Sequence, residues 1–230
     1  MTLGEIRTLT RREIDDEVGN DSIRYIKDYQ IDAYANEAVI EACIRGRLLV
    51  DSSTAEICSI PIVAGTAAYP FDPRIIMILR GRMASSATPL GRASFTMLDE
   101  RYPDWEAQEG KVETFVTGMD KNQIRLFKVP VSDDTLKLTV IREPLESLVD
   151  DDDVPEIHPR LHQSLILWIK HRAYQNQDSQ MWDKNRSDVH LEMFERKFGR
   201  RPAELCDVFD AMHISEYTPE PRDIYQDSYY

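Results

Sequence analysis

The apolar residues of this chain change their spacing twice, from helical to two-fold and back, and that double change limits the fold to helices interrupted by a β insertion. Between about residues 52 and 147 the apolar runs 57–63, 75–79, 112–116, 124–129 and 136–141 are each of strand length. Leu136, Leu138 and Val140 alternate with Lys137 and Thr139, so the two sets point to opposite faces. Ala64-Gly65, Pro70 with Pro73, and the stretches 118–122 and 132–134 supply turn chemistry between the runs. The expected fold class is α+β: a helical bundle from 1–50 and 150–213, an inserted antiparallel β-sandwich or barrel over 52–147, and an extended C-terminal arm over 215–230. Within the insertion, residues 93–101 predict a helical turn with Phe95 and Leu98 facing inward.

The strongest helical pattern lies in 150–177, DDDDVPEIHPRLHQSLILWIKHRAYQNQ. An acidic run, then Pro155 and Pro159, then an apolar stripe reads as a helix start, because negative charge and proline both suit the first turn. Leu161, Leu165, Trp168 and Ile169 form the stripe, and Ile166 widens it, so these residues belong either to the core or to a subunit interface. Upstream, Thr2 and Glu5 have capping-box spacing, and Thr10 with Glu13 repeat it. A helix from Asp28 to about Arg47 carries the small-residue face Ile31, Ala35, Ala38 and Ala42, a candidate partner for the later helix. Downstream, Asp178 or Ser179 caps a helix ending at Phe198 and Gly199. There Trp182, Val189 and Met193 form one stripe, broadened by Leu191, Phe194 and Phe198, and Trp168 and Trp182 are both read as core. A shorter helical turn is expected over 205–212.

A formal charge of −13 over 230 residues argues against a protein that grips nucleic acid phosphate, which needs clustered cations. Cys43, Cys58 and Cys206 have no C-x-x-C spacing, so reduced thiols are expected and neither a disulfide framework nor a zinc knuckle. No signal-like or bilayer-spanning apolar run occurs, and a soluble protein is expected. There is no G-x-S-x-G elbow, phosphate-binding loop or dinucleotide fingerprint, so no catalytic residue and no cofactor are assigned. His158 and His162 have a chelating i, i+4 spacing but lack the H-E-x-x-H glutamate, and the acidic run lacks the calcium-loop pattern. A metal-dependent hydrolase built on those histidines is therefore the weakest alternative, and no metal ligand is assigned. The basic residues Arg196, Lys197, Arg200 and Arg201 complement a helix C-terminus, or else dock on an acidic partner. The stretch 215–230, SEYTPEPRDIYQDSYY, has too little apolar surface to fold alone. Tyr217, Ile224, Tyr225, Tyr229 and Tyr230 make it a candidate partner-binding arm.

Four stretches carry a resemblance: NEAVIEACIRG at 36–46, AAYPFDP at 67–73, LDERYPDW at 98–105, and IREPLESLVDDDDVPEIHPRLHQSLILW at 141–168. In order and spacing, over roughly residues 20–200, the chain resembles the head-to-tail connector proteins of tailed bacteriophages, the adaptors that dock beneath the portal. The resemblance implies a structural virion protein, assembled in the host cytoplasm into a ring, commonly dodecameric. Its partners would be the portal protein, downstream tail proteins and copies of itself, with DNA passing through the lumen without specific binding. It implies that the arm reaches the portal or a neighbouring subunit. The alternative of another class is a non-virion acidic accessory protein that recruits a partner through its tyrosine-rich tail.

Overall fold

The structure is a computed structural model and describes residues 1–17, 24–176 and 180–202. In chain order its elements are α1 (Leu3–Glu13), α2 (Asp28–Gly46), β1 (Val50–Asp51), α3 (Ala55–Cys58), β2 (Ser59–Ile62), β3 (Ala68–Pro70), β4 (Ile75–Met83), β5 (Gly91–Arg92) and α4 (Phe95–Arg101). After a 3-10 turn at Trp105–Ala107 come β6 (Glu109–Gly110), β7 (Thr114–Thr117), β8 (Gln123–Phe127), β9 (Val129–Pro130) and β10 (Asp134–Arg142). A second 3-10 turn, Pro159–Leu161, leads into α5 (His162–Gln175), followed by α6 (Lys184–Phe198).

α5 is covered by α1, α2 and α6, as its wide apolar stripe requires. The small face of α2 is fully buried at Ile31, Ala35, Ala38 and Ala42, and it shares one core with Leu3 and Ile6 of α1, Leu165 and Ile169 of α5, and Phe194 of α6. Each large side chain removed from water here contributes on the order of 1.5–3 kcal/mol. α1 is one continuous helix. Thr10 lies buried inside it and caps nothing, while Glu13 pairs with Lys170 of α5 at 3.2 Å.

The middle of the chain is built on β10. Its residues 136–142 pair antiparallel with β4, while 134–137 pair with β2 and 140–141 with β1, so β1 and β2 share the edge opposite β4. A second sheet runs β3-β8-β7-β5. Leu136, Leu138 and Val140 of the first sheet meet Phe115, Ile124 and Leu126 of the second in a common core. The next residues along, Val116 and Phe127, point the other way into a small cluster with Ala93, Leu98 and Trp105. Segment 89–92 stitches the sheets together: Arg82 bridges Pro89 and Gly81 O accepts from Leu90 N, while Gly91 and Arg92 pair with β7.

The chain is thus mixed α+β, but no sheet among the described residues closes into a barrel or a complete sandwich. The reason lies in the edges. β3 and β5 are three and two residues long, and Pro61 and Pro70 remove donors from β2 and β3, so ladders cannot propagate. Nor is all pairing antiparallel, since β5–β7 and β6–β9 run parallel. Two local expectations also change. Ile57 and Cys58 belong to α3 and not to a strand, and on α4 only Leu98 is buried whereas Phe95 is 39% exposed.

Candidate assembly surfaces

The acidic run 150–153 does not start α5. It folds as a turn in which Asp153 Oδ2 accepts from Val149 N at 2.7 Å and Asp150 N at 2.8 Å, and these bonds hold its carboxyl below the usual range. The turn lies on the N-terminus of α1 instead. Leu3 N donates to Asp153 O at 2.8 Å, Gly4 N to Asp151 O at 3.0 Å, and Glu5 N to Thr2 Oγ1 at 3.2 Å. The three N–H groups that an α-helix leaves unpaired after its cap are all satisfied. Gly4 eases this approach, because a Cβ there would stand 3.3 Å from Asp151 O and the turn would have to give by a few tenths of an ångström. Arg7 then ties three elements, gripping Asp32 of α2 with two bonds of 3.0 and 2.9 Å and Asp151 at 2.9 Å.

A second joint connects the helices to β10. Arg142 Nε donates to Asp51 Oδ2 at 2.7 Å, and its two Nη atoms hold both oxygens of Glu156. Burial alone would raise the Asp51 carboxyl, but bonds from Thr54 Oγ1, Ser53 N and Arg142 outweigh it and hold the group far below its ordinary value. Glu156 is lowered mainly by Arg142. Nearby, Asn36 of α2 closes a two-bond pairing with the backbone of Leu148, accepting at 2.7 Å and donating at 2.9 Å.

Of the stripe residues, Leu165, Trp168 and Ile169 are buried in the helical core and Leu161 is partly buried against it. His162 is fully buried, with Nε2 2.8 Å from Ile157 O and Nδ1 3.0 Å from the Met1 amino group. His158 Nδ1 accepts from Arg160 N. Both rings thus serve the entry to α5, and among the described residues no three His, Cys, Asp or Glu side chains converge for a metal. Burial, with a smaller contribution from Glu156, pushes the Cys43 thiol up to about 12, and Cys58 is raised for the same first reason. Both thiols are buried, and the upward shift disfavours the thiolate that reactivity needs. Cys206 lies outside the described residues.

α6 contradicts part of the sequence expectation. Asp183 caps it, accepting from Arg186 N at 3.1 Å, while Asp178 and Ser179 lie outside the described residues. Phe194 and Phe198 face the core, but Trp182, Val189 and Met193 are 54%, 48% and 45% exposed. The reason is that the inward arc of α6 is already filled by Ser187, Phe194 and Phe198, and Ser187 is held to α5 by its 3.0 Å bond to His171 O. Arg196, Lys197, Arg200 and Arg201 are exposed around the helix end, where Arg196 pairs with Glu192 and Arg201 approaches Glu41. The turn expected at 205–212 and the arm residues Tyr217, Ile224, Tyr225, Tyr229 and Tyr230 lie outside the described residues.

The residues that join the layers, Arg7, Asn36, Asp51, Arg142 and Glu156, carry no local motif in the sequence. Asn36, Arg142 and Glu156 do fall inside the stretches that carry the family resemblance. The other two stretches are structural as well. Trp105 Nε1 donates to Asp99 at 2.7 Å within 98–105, and from within 67–73 Tyr69 Oη accepts from Val63 N at 3.0 Å and donates its one proton to Thr66 O at 2.7 Å. The model of one protein family, described as SU10 adaptor protein, matches residues 1–212. No curated protein matches the chain.

Proposed function

From the premise that this chain belongs to the SU10 adaptor protein family, and is therefore a structural head-to-tail adaptor of a tailed-phage virion and not an enzyme, we propose that it acts as one subunit of a dodecameric ring beneath the portal. The observation that carries this reading is the family match across all the described elements, α1 to α6. In the ring, a helical unit made of residues 1–50 and 150–213 forms the wall, and a β unit over 52–147 faces the downstream tail proteins. The exposed Val63, Leu79, Met119 and Val131 of that unit supply apolar contacts. The arm, 215–230, docks through Tyr217, Ile224, Tyr225, Tyr229 and Tyr230 onto the portal or a neighbouring copy. Assembly takes place in the host cytoplasm.

Net charge supports the channel role. At −13, the chain meets phosphate with like charge, so DNA traverses the lumen without being held. Closed heterologous contacts around a rotation axis make the ring finite. Electron microscopy of the purified chain mixed with the portal of the same genome tests the proposal. A coaxial ring on the portal is expected. A chain that stays monomeric and ignores the portal would overturn it.

A further inference from the structure

In a chain this acidic, α6 presents an outward stripe of opposite character. Arg186, Val189, Met193 and Arg196 follow one another at steps of three or four residues and line one side of α6, while Trp182 and Arg200 flank the helix at its two ends. Trp182, Val189 and Met193 are each about half exposed, and the three arginines are more exposed still. Arg186 pairs with Asp183 and lies over the Tyr174 ring, and Arg196 pairs with Glu192, through surface contacts that leave their charge largely available. No described residue covers the stripe.

We propose that in the free chain the segment 215–230 folds back along this stripe of its own α6, with its tyrosines on Trp182, Val189 and Met193 and its acids against the arginines. Three observations select that occupant. The segment holds Glu216, Glu220, Asp223 and Asp227 against the single Arg222, the charge opposite to the stripe. Its four tyrosines and Ile224 are the apolar surface that a half-buried Trp, Val and Met would accept. It is also joined to the helix it covers. α6 spans about 22 Å, and the connecting residues 203–214 reach roughly 40 Å when extended, enough to return along its length. A tether of this kind raises the local concentration of the segment to about millimolar, which favours its own chain over a second copy.

The inference concerns the chain before assembly and is independent of what the arm meets in the virion. Acrylamide quenching of tryptophan fluorescence tests it, because Trp105 and Trp168 are buried and Trp182 is the exposed fluorophore. The full chain is compared with a chain ending at residue 214, with Trp182→Phe in each background to subtract the buried pair. Truncation is expected to raise the Trp182 quenching constant, and the 215–230 peptide added back is expected to lower it again. The full-length Val189→Asp, Met193→Asp variant, which alters only exposed positions, should behave like the truncation. Protection should weaken in high salt and be unchanged on dilution. Equal quenching of the full and truncated chains would overturn the proposal, and protection that disappears on dilution would overturn it in favour of a second copy.

Discussion

Arg142 shows how much of this fold depends on a single side chain. It is buried with Asp51, and it also holds both oxygens of Glu156. Arg142→Met should leave two carboxylates facing each other without a cation. A loss of about 3–5 kcal/mol is expected in urea denaturation at pH 7. The same joint sets an acid limit. Asp51 and Glu156 titrate lower in the folded chain than in the unfolded one, so the unfolded state binds more protons as pH falls. Their contribution is complete above the unfolded values of about 3.9 and 4.3 and is lost as pH drops below them. His171 and His190 act in a higher window. Burial lowers both, so their contribution is present above about pH 6.5 and declines as pH falls from there. Thermal melts from pH 8 to pH 3 should therefore show destabilisation that begins below about pH 6.5 and deepens below about pH 4, and His171→Asn with His190→Gln should reduce only the first part.

At the scale of elements, the start of α1 was half legible. The Thr2–Glu5 capping box stands in the structure as its spacing predicts. The acidic run reads locally as the start of α5, because Asp-Pro-apolar order is a local signal. In space the run caps α1, about 150 residues away along the chain. Two substitutions separate these contributions. Thr2→Ala should cost on the order of 1 kcal/mol by removing the side-chain cap. Gly4→Val should cost about 1–3 kcal/mol, because its Cβ pushes against Asp151 and displaces the acidic turn. Equal melting temperatures for Gly4→Val and the parent chain would show that the turn does not depend on the glycine. On α4 and α6 the helical pattern was legible and the buried side was not. Phe95 and Leu98 are equally apolar, and only the position of Trp105 and Phe127 decides that Leu98 turns inward.

At the scale of the whole molecule, the described cores are built from residues that precede the arm. The helical core closes on Phe194 and Phe198, and the sheets share their own apolar interior. Deleting 215–230 should therefore leave a chain with unchanged circular dichroism and melting temperature that no longer joins the portal. Pelleting of the truncated chain with portal complexes checks this, and normal incorporation would count against the arm as the docking element.

The sequence by itself determined the mixed α+β class, the helix and strand periods, the Thr2 cap, the small face of α2 and the family. These are readable because periodicity, capping and composition act over a few residues, or recur as patterns along the chain. Only the tertiary structure decided that the acidic run serves α1, that Arg142 meets Asp51 and Glu156, that the sheets stay open, and that Trp182, Val189 and Met193 face outward. Each of these depends on which surfaces the path of the chain brings together. A stripe that looks like core becomes an outer face once the inner arc of its helix is filled by other residues.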